Sequence, residues 1–463
     1  MAGERVIHFV CNQGMTRCVL GTNPDDPSQK PPCVACVKQS HRLYGQADVH
    51  WFALEENKDL DFAIANLDLS QLTSFVFSEL PLGELVLPSL RWALRRHYLS
   101  DDESTRFFYR QYILSAFNVA RKFESFLASV KPKTVVLFNG IMYPEAIARY
   151  LALRQGIRVI THEVGLAPFS AFFTEGQATA YPMHIPSDFV LNNEQNRRLD
   201  DYLSRRFQGQ FTMAGIRFWP KMQELDDAFV SKLAAFRHVV PVFTNVIFDT
   251  SQVHANSLFP HMFVWLGEVL RLIRSYPETL FVIRAHPDEL RPGTRKQSRE
   301  SVAQWMRDHD VDNLPNVVFV DANEYVSSYA LIQRAHFVMV YNSSIGLEAS
   351  IMGKPVLCAG AARYTQYETV FYPASAQEYL RQAEAFLKAD HVEQPIKLLN
   401  EARRVLYFQL FRTALSLERF LSPHSRMGYV HLKSFPVDAL MRENSPAIRA
   451  VYDGVVNAQP FLV

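Results

Sequence analysis

The pattern that most constrains this chain is the alternation of short apolar runs with longer amphipathic segments. In the second half, the runs "HVVPVF", "TLFVIRA", "NVVFVDA", "HFVMVY" and "PVLCAG" are separated by segments whose apolar residues recur at helical spacing. This alternation is typical of βαβ units, in which helices cover parallel strands. The sequence therefore predicts an α/β fold with doubly wound parallel sheets.

The first half repeats the same pattern. "RVIHFVC" and "KTVVLFNG" have the composition of buried strands, and the second is followed by a helical segment and the run "IRVITHEVG". A chain of 463 residues also exceeds the size at which single cores stop growing. We therefore predict two Rossmann-like domains that face a cleft. The predicted boundaries are 1–190 and 237–375 for the two domains, 191–236 for a polar helical linker, and 376–463 for helices that pack across both.

The balance of charges argues against a nucleic-acid partner. Lys and Arg number 48 and Asp and Glu number 47, so the chain has no overall basic character. Its start lacks the pattern of a signal peptide, and no apolar stretch has the length of a membrane span. These features predict a cytoplasmic protein that binds any anionic ligand through local groups.

Polar residues follow the predicted strands of the second half at the points where these strands end. Asn245, Arg284 with His286, and Asn342 with the two serines that follow it come from three separate segments. Ligands of open α/β sheets bind beyond the carboxyl ends of the strands, and these ends lie at one edge of the sheet. We therefore predict a ligand site built from these residues.

The stretch "YNSSIGLEASIMGKPV" places Ser343 and Ser344 where a strand gives way to a helix. The first N–H groups of a helix lack internal partners and attract phosphate. Glu348, one turn further on, is placed to accept hydrogen bonds from ribose hydroxyls. In the alternative interpretation, Ser343 is only an N-cap and Glu348 only complements the helix dipole.

The stretch "RAHPDE" contributes a second motif. His286 follows an apolar strand and precedes Pro287, which ends the strand. A histidine here can donate a hydrogen bond to a phosphate, or become charged when the phosphate binds. A structural histidine is the alternative for an isolated His-Pro pair. The occurrence of both motifs at strand ends in one βαβ series favours the phosphate site.

These two stretches resemble the C-terminal half of GT-B glycosyltransferases of the capsular polysaccharide synthesis group. That group is related to bacterial sialyl-, polysialyl- and Kdo-transferases, which carry a His-Pro and a Ser-Ser motif. The resemblance covers about residues 237–375 and implies that this part binds a nucleotide sugar, while 1–190 binds the acceptor. It also implies that His286, Ser343 and Ser344 contact the donor phosphate, with Arg284 and Asn342 nearby. Asn245 would lie close to the donor and Glu348 near the ribose.

The resemblance also implies a catalytic base in the N-terminal half. Related enzymes have an acidic pair followed by glycine, and the corresponding stretch here is "THEVG", with His162 and Glu163. Glu163 is the first candidate for the base and His162 is its rival. In the alternative interpretation, Glu163 pairs with an arginine and supports the loop. Asn139 and Gly140, together with Gly14, are expected to line the cleft.

The function that follows is transfer of a sugar from a nucleotide sugar to a glycan or a lipid-linked acceptor in surface polysaccharide synthesis. CMP-sugars are favoured by analogy, and we expect an inverting reaction that needs neither a metal nor another cofactor. Two alternatives use similar residues: a non-hydrolysing sugar-nucleotide epimerase and a CDP-glycerol-type glycerophosphotransferase. A non-catalytic sugar-nucleotide sensor is a third.

Two N-terminal features allow more than one interpretation. Cys11, Cys18, Cys33 and Cys36 fit a structural zinc site, a disulfide or free thiols, and free thiols are favoured in a reducing compartment. Residues 87–99, "LPSLRWALRRHYL", combine leucines with basic side chains. This segment is either an amphipathic helix that covers a sheet or a peripheral contact with the inner membrane surface.

Overall fold

The computed structural model describes residues 3–209, 222–290, 297–425 and 429–463. The chain forms two compact units. The first contains the residues up to Glu163 together with Phe173–Thr179, and the second contains Val164–Phe172 and the chain from Ala180 onward.

The elements up to the end of the first unit include both strands and helices. In chain order they are β1 (Ile7–Cys11), α1 (Cys33–Tyr44), β2 (Asp48–Phe52), α2 (Lys58–Ile64), α3 (Leu69–Thr73), α4 (Leu82–Leu94), α5 (Glu103–Val130), β3 (Thr134–Phe138), α6 (Tyr143–Arg154), β4 (Arg158–Val164) and β5 (Ser170–Glu175).

The long helix α5 organises the core of the first unit. Its N-cap, Asp102, accepts a hydrogen bond from the Thr105 backbone N–H, and the helix ends at Lys131 in the left-handed conformation. α4 and α6 both pack on it. The strands pair in parallel, β1 with β2 and β3 with β4. The carboxyl ends of β3 and β4 are therefore next to each other.

The second unit contains the remaining elements. They are α7 (Asn193–Phe207), α8 (Asp227–Ala234), β6 (His238–Phe243), α9 (Gln252–Ala255), α10 (Met262–Ser275), β7 (Thr279–Arg284), α11 (Val302–Asp308), β8 (Val317–Val320), α12 (Ser328–Arg334), β9 (Val338–Val340), α13 (Ile345–Ile351), β10 (Val356–Cys358), α14 (Ala376–Lys388), α15 (Ile396–Phe411), β11 (Leu415–Ser416), β12 (Leu421–Pro423), β13 (Val430–Leu432) and α16 (Pro446–Asn457).

The sheet of the second unit is parallel and has the order β10-β9-β6-β7-β8. The chain runs from β6 outward through β7 and β8, and then returns to the other side of β6 with β9. The gap between the ends of β6 and β9 is a topological switch point, where ligands of such sheets bind. The register places Phe243, Arg284 and Val340 side by side at this edge.

The predicted fold class, α/β with parallel sheets, is confirmed. The five apolar runs that predicted strands in the second half correspond to β6, β7, β8, β9 and β10. The segment predicted to be a linker contains α7, whose Leu199 and Leu203 are buried in a core of the second unit.

The apolar face of α4 is buried, with Leu82, Val86, Leu90 and Leu94 in the core of the first unit. This arrangement fits the packing interpretation of residues 87–99. Within the described parts of the chain, no helix has both the length and the apolar character required to span a bilayer.

Candidate functional site

A cavity opens at the switch point of the second unit. Its volume is about 90 Å³. Its wall combines residues that follow β6, β7 and β9 with residues from α7, α12 and α13. Those with polar side chains are Arg206, Thr244, Arg284, His286, Ser328, Tyr329, Ser343, Ser344 and Glu348. Five residues of the predicted donor site therefore line one cavity: Arg284, His286, Ser343, Ser344 and Glu348.

His286 lies half-buried at the end of β7, with its ring orientation fixed by the turn that follows. Its Nδ1 accepts a hydrogen bond from the Asp288 backbone N–H at 3.1 Å. In the neutral ring the proton must then be on Nε2, which makes Nε2 a hydrogen-bond donor. Pro287 starts the short turn that supplies this contact. The histidine is thus held in the tautomer that can donate to a phosphate oxygen.

Ser343 and Ser344 form the turn between β9 and α13. Ser344 occupies the position before the helix but makes no side-chain cap. Among the residues described, neither hydroxyl has a hydrogen-bond partner. The turn is held by its backbone, because the Ser343 carbonyl accepts from the buried Tyr364 hydroxyl at 2.7 Å. The alternative in which Ser343 caps the helix is therefore wrong, and both hydroxyls are available to a ligand.

Glu348 is buried at the cavity wall, with both carboxylate oxygens engaged. Oε1 accepts from Arg206 Nη2 at 2.7 Å, and Oε2 accepts from the Tyr329 hydroxyl at 2.5 Å. Arg206 Nη1 also donates to the Tyr202 hydroxyl at 2.9 Å. Burial alone would lower the pKa of Arg206, but the attraction of Glu348 and the two tyrosines raises it. A contact between Glu348 and a ribose stays a prediction.

Arg284 ends β7 and is 3% exposed. Its Nη2 donates to the Glu324 carbonyl at 3.0 Å, while its own carbonyl accepts from the Thr244 hydroxyl at 2.9 Å. Burial lowers the pKa of Arg284 to about 10, so the guanidinium remains charged at neutral pH. It supplies positive potential to a cavity in a protein with little net charge.

Asn245 and Asn342 lie together but are not part of the cavity wall. Asn245 Nδ2 donates to Asn342 Oδ1 at 2.6 Å, and Gln252 Nε2 approaches the same oxygen at 3.4 Å. This contact joins the segments that follow β6 and β9. The predicted donor contacts of both asparagines stay predictions, and the structure gives them a bracing role at the switch point.

In the first unit, the predicted residues lie at the carboxyl ends of β3 and β4. Asn139 Nδ2 donates to Glu163 Oε2 at 2.8 Å, and Asn139 Oδ1 accepts from the Ile141 backbone N–H at 3.0 Å. Asn139 and Gly140 both have positive φ, +61° and +80°. A Cβ at Gly140 would lie 2.9 Å from Thr161 Cγ2. Both the positive φ and this close contact therefore favour glycine at position 140. This turn orients the Glu163 carboxylate.

His162 precedes Glu163 on β4 and stacks on Phe173, with ring centroids 5.0 Å apart. Burial lowers its pKa. The ring is therefore neutral at neutral pH and able to accept a proton. Both candidate bases, Glu163 and His162, stay predictions.

Gly14 has a packing reason for being glycine. A Cβ there would overlap the Phe52 ring and lie 2.8 Å from the Phe52 carbonyl oxygen. The close approach that the sequence indicated is thus to β2, and a contact of Gly14 with a ligand stays a prediction.

The four N-terminal cysteines are free thiols in the structure. Over the described ranges, no group of three or more His, Cys, Asp or Glu side chains is arranged to hold a metal ion. The zinc, disulfide and free-thiol interpretations of Cys11, Cys18, Cys33 and Cys36 stay predictions. Burial raises the pKa of Cys11 to about 11, which makes this thiol unreactive at neutral pH.

Sequence reasoning missed Arg206 and Tyr329. Both contact Glu348 from helices that received no functional role, α7 and α12. One signal was present, since Arg206 follows Leu199 and Leu203 at helical spacing and so lies on the buried face of α7.

Together, the fold and the cavity define an α/β protein with hydrogen-bond donors at the switch point of a parallel sheet. A comparison with known families is more specific. Residues 193–382 match the family model of capsule polysaccharide biosynthesis proteins. This segment contains every residue of the cavity wall. Over this segment, the match agrees with the predicted resemblance to proteins of capsular polysaccharide synthesis.

No curated protein matches the chain. Among solved structures, the chain is similar to the β-Kdo 2,4-transferase of Thermosulfurimonas dismutans KpsC, at 12% identity and a TM-score of 0.41 over 61% of this chain and 79% of that one. The β-Kdo 2,7-transferase of the same protein is 14% identical, with a TM-score of 0.36 over 67% of this chain and 85% of that one. UDP-GlcNAc 2-epimerase from Neisseria meningitidis is 15% identical, with a TM-score of 0.27 over 86% of this chain and 98% of that one. We base no assignment on likenesses at this level.

Proposed function

We propose that this protein transfers a sugar from a nucleotide sugar, with a CMP-sugar as the favoured donor, to a glycan or a lipid-linked acceptor in surface polysaccharide synthesis. One observation carries the proposal. His286, Ser343 and Ser344 converge on one cavity, inside the segment that matches capsule polysaccharide biosynthesis proteins.

The second unit would bind the donor and stabilise the leaving group. When the bond from the anomeric carbon to the phosphate oxygen breaks, negative charge develops on the phosphate. The Nε2–H of His286, the two serine hydroxyls and the positive potential of Arg284 are suited to stabilise it. The cavity volume of about 90 Å³ is well below the roughly 300 Å³ of a complete ligand pocket. A single phosphate group inside, with the nucleoside extending outward, suits a CMP leaving group.

The first unit would activate the acceptor. In an inverting reaction, the acceptor oxygen bonds to the anomeric carbon as the CMP oxygen leaves, and the hydroxyl proton passes to a base. We assign this base to Glu163, oriented by Asn139, with His162 as the rival. A product that retains the anomeric configuration would instead make Glu163 a candidate nucleophile.

The scheme uses neither a metal nor a cofactor besides the nucleotide-sugar substrate. Side chains supply the positive potential at the phosphate. We further propose a cytoplasmic location, with peripheral contact at the membrane where a lipid-linked acceptor is presented.

The first test is a thermal-shift titration with CMP, CDP, UDP, GDP and TDP, with and without EDTA. A ligand that binds only the native state raises the melting temperature by mass action. We expect a selective shift with CMP that EDTA leaves unchanged. The shift should be lost in His286→Ala and in Ser343→Ala combined with Ser344→Ala. No shift with any nucleotide would contradict the proposal.

Turnover then separates the transferase from its rivals. A transferase releases nucleotide only when an acceptor is present, whereas an epimerase converts one sugar nucleotide without an acceptor. Release of CMP from CDP-glycerol would indicate the glycerophosphotransferase. Binding with no turnover under any of these conditions would indicate a sensor.

A further inference from the structure

The ion pair between Arg206 and Glu348 is buried at the wall of the donor cavity. The side chains of Arg206 and Glu348 are 7% and 4% exposed, and Tyr329 adds a second donor to the carboxylate. Buried ion pairs cost desolvation energy, and apolar residues of similar size often serve packing equally well. The position of this pair on a ligand cavity calls for an explanation beyond packing.

The pair determines the surroundings of Glu348. Its Oε1 accepts a hydrogen bond from Arg206 and its Oε2 accepts one from Tyr329. The charged and titratable groups around it are Arg206 and Tyr202 from α7, Tyr329 from α12, and the more distant Tyr364. Arg206 is the cation that forms an ion pair with this carboxylate.

An ionised carboxylate accepts hydrogen bonds and donates none. It offers about four lone pairs, and Arg206 and Tyr329 use one on each oxygen. The remaining lone pairs suit a ligand group that donates, such as a hydroxyl. The same cavity has donors in His286 and the serines, so it matches a ligand with an anionic group and hydroxyls.

We propose that Arg206 and Tyr329 are positioning residues that hold Glu348 as a hydrogen-bond acceptor for a hydroxyl group of the bound ligand. The inference rests on the proposed function, in which the ligand is a nucleotide and the hydroxyl belongs to its ribose. Neither residue touches the reacting atoms. They act by fixing the orientation of the Glu348 carboxylate, which selects ribonucleotides over deoxynucleotides.

The test compares the Kd values of CMP, 2′-deoxy-CMP and 3′-deoxy-CMP by calorimetry. A hydrogen bond to a charged group contributes enough for the wild-type protein to prefer CMP over one deoxy analogue by about 10-fold to 100-fold. Tyr329→Phe and Glu348→Gln should bring this ratio close to one. Tyr379→Phe is the matched control, because it removes another buried tyrosine hydroxyl, bonded to Trp265 Nε1 at 2.8 Å. It should keep the wild-type ratio.

A second readout uses rescue by a conservative variant. Arg206→Met should lower the preference for CMP, because Glu348 Oε1 loses the donor that holds it. Arg206→Lys should restore part of the preference. Tyr329→Phe removes a single oxygen atom and keeps the test valid if the Arg206 variant does not fold.

Each outcome decides a different question. If the wild-type protein binds CMP but does not distinguish the deoxy analogues, the inference is wrong and the proposed function stands. If Tyr329→Phe keeps the wild-type ratio, Tyr329 has no positioning role. If no nucleotide binds, the proposed function fails and the inference fails with it.

Discussion

Gly346→Ala tests which contacts hold the turn formed by Ser343 and Ser344 between β9 and α13. Gly346 is buried in α13, three residues after Ser343. A Cβ there would overlap the Tyr364 hydroxyl and lie 2.9 Å from Val340 Cγ1. Tyr364 is buried and donates to the Ser343 carbonyl, so it cannot move without releasing the turn. The absence of one side chain thus lets a tyrosine hold the predicted phosphate-binding serines.

The expected size of the effect follows from competing contributions. Alanine is favoured over glycine in a helix by about 1 kcal/mol. Overpacking costs about 1–3 kcal/mol, and weakening the Tyr364 hydrogen bond costs about 1 kcal/mol more. The net loss for Gly346→Ala is therefore about 1–3 kcal/mol. Gly267→Ala, in α10, is the matched control, because nothing lies within 4 Å of its added Cβ. It should stabilise by about 1 kcal/mol.

Calorimetric melting of both variants, followed by CMP titration, measures this difference. For a chain of 463 residues, a gap of about 2–4 kcal/mol corresponds to roughly 2–4 °C in Tm. Gly346→Ala should also weaken CMP binding, and Gly267→Ala should not. Adding Tyr364→Phe to Gly346→Ala should cost less than the sum of the single changes, because the overlapping hydroxyl is gone. The reasoning is refuted if Gly346→Ala is as stabilising as Gly267→Ala.

Two further predictions concern carboxyl groups. Glu163→Gln should leave the donor KM unchanged and lower kcat by about 10²-fold or more, as expected for loss of a general base. Glu175→Gln is a control and should keep the wild-type kcat. A wild-type kcat in Glu163→Gln would exclude Glu163 as the base. Glu289, whose pKa burial raises to about 8, should be protonated in the folded protein and ionised in the unfolded chain between about pH 4 and pH 8. Wild-type stability should therefore fall with rising pH relative to Glu289→Gln, by up to about 1.4 kcal/mol per pH unit and a few kcal/mol in all. Urea unfolding at pH 5, 6.5 and 8 measures this, and a constant difference would contradict it.

The strand-end residues of the second unit were predictable because parallel strands obey a simple rule. The strands are mostly apolar, so polar residues that follow them closely, such as Asn245, His286 and Ser343, must lie at the carboxyl edge. The order of the strands then decides which of these residues meet. His286 and Ser343 converge because β9 returns to the side of β6 opposite β7.

Several of the residues singled out in the sequence also make contacts that no local pattern encodes. Gly14 makes room for Phe52. Asn245 and Asn342 bond to each other across the switch point. In each case the type of residue was informative about a close contact, whereas the partner was set by tertiary packing.

The position of α7 links the family comparison to the chemistry of the cavity. The matched segment begins at residue 193, which is also the first residue of α7. The composition of this helix predicts a polar linker, since most of its residues are charged or carry an amide side chain. Its buried face nevertheless carries Arg206 to Glu348, which lies 142 residues further along the chain. Because a buried guanidinium beside a buried carboxylate is stable only if both are present, α7 and α13 must be ordered together. The helix is thus part of the ligand site and forms with it.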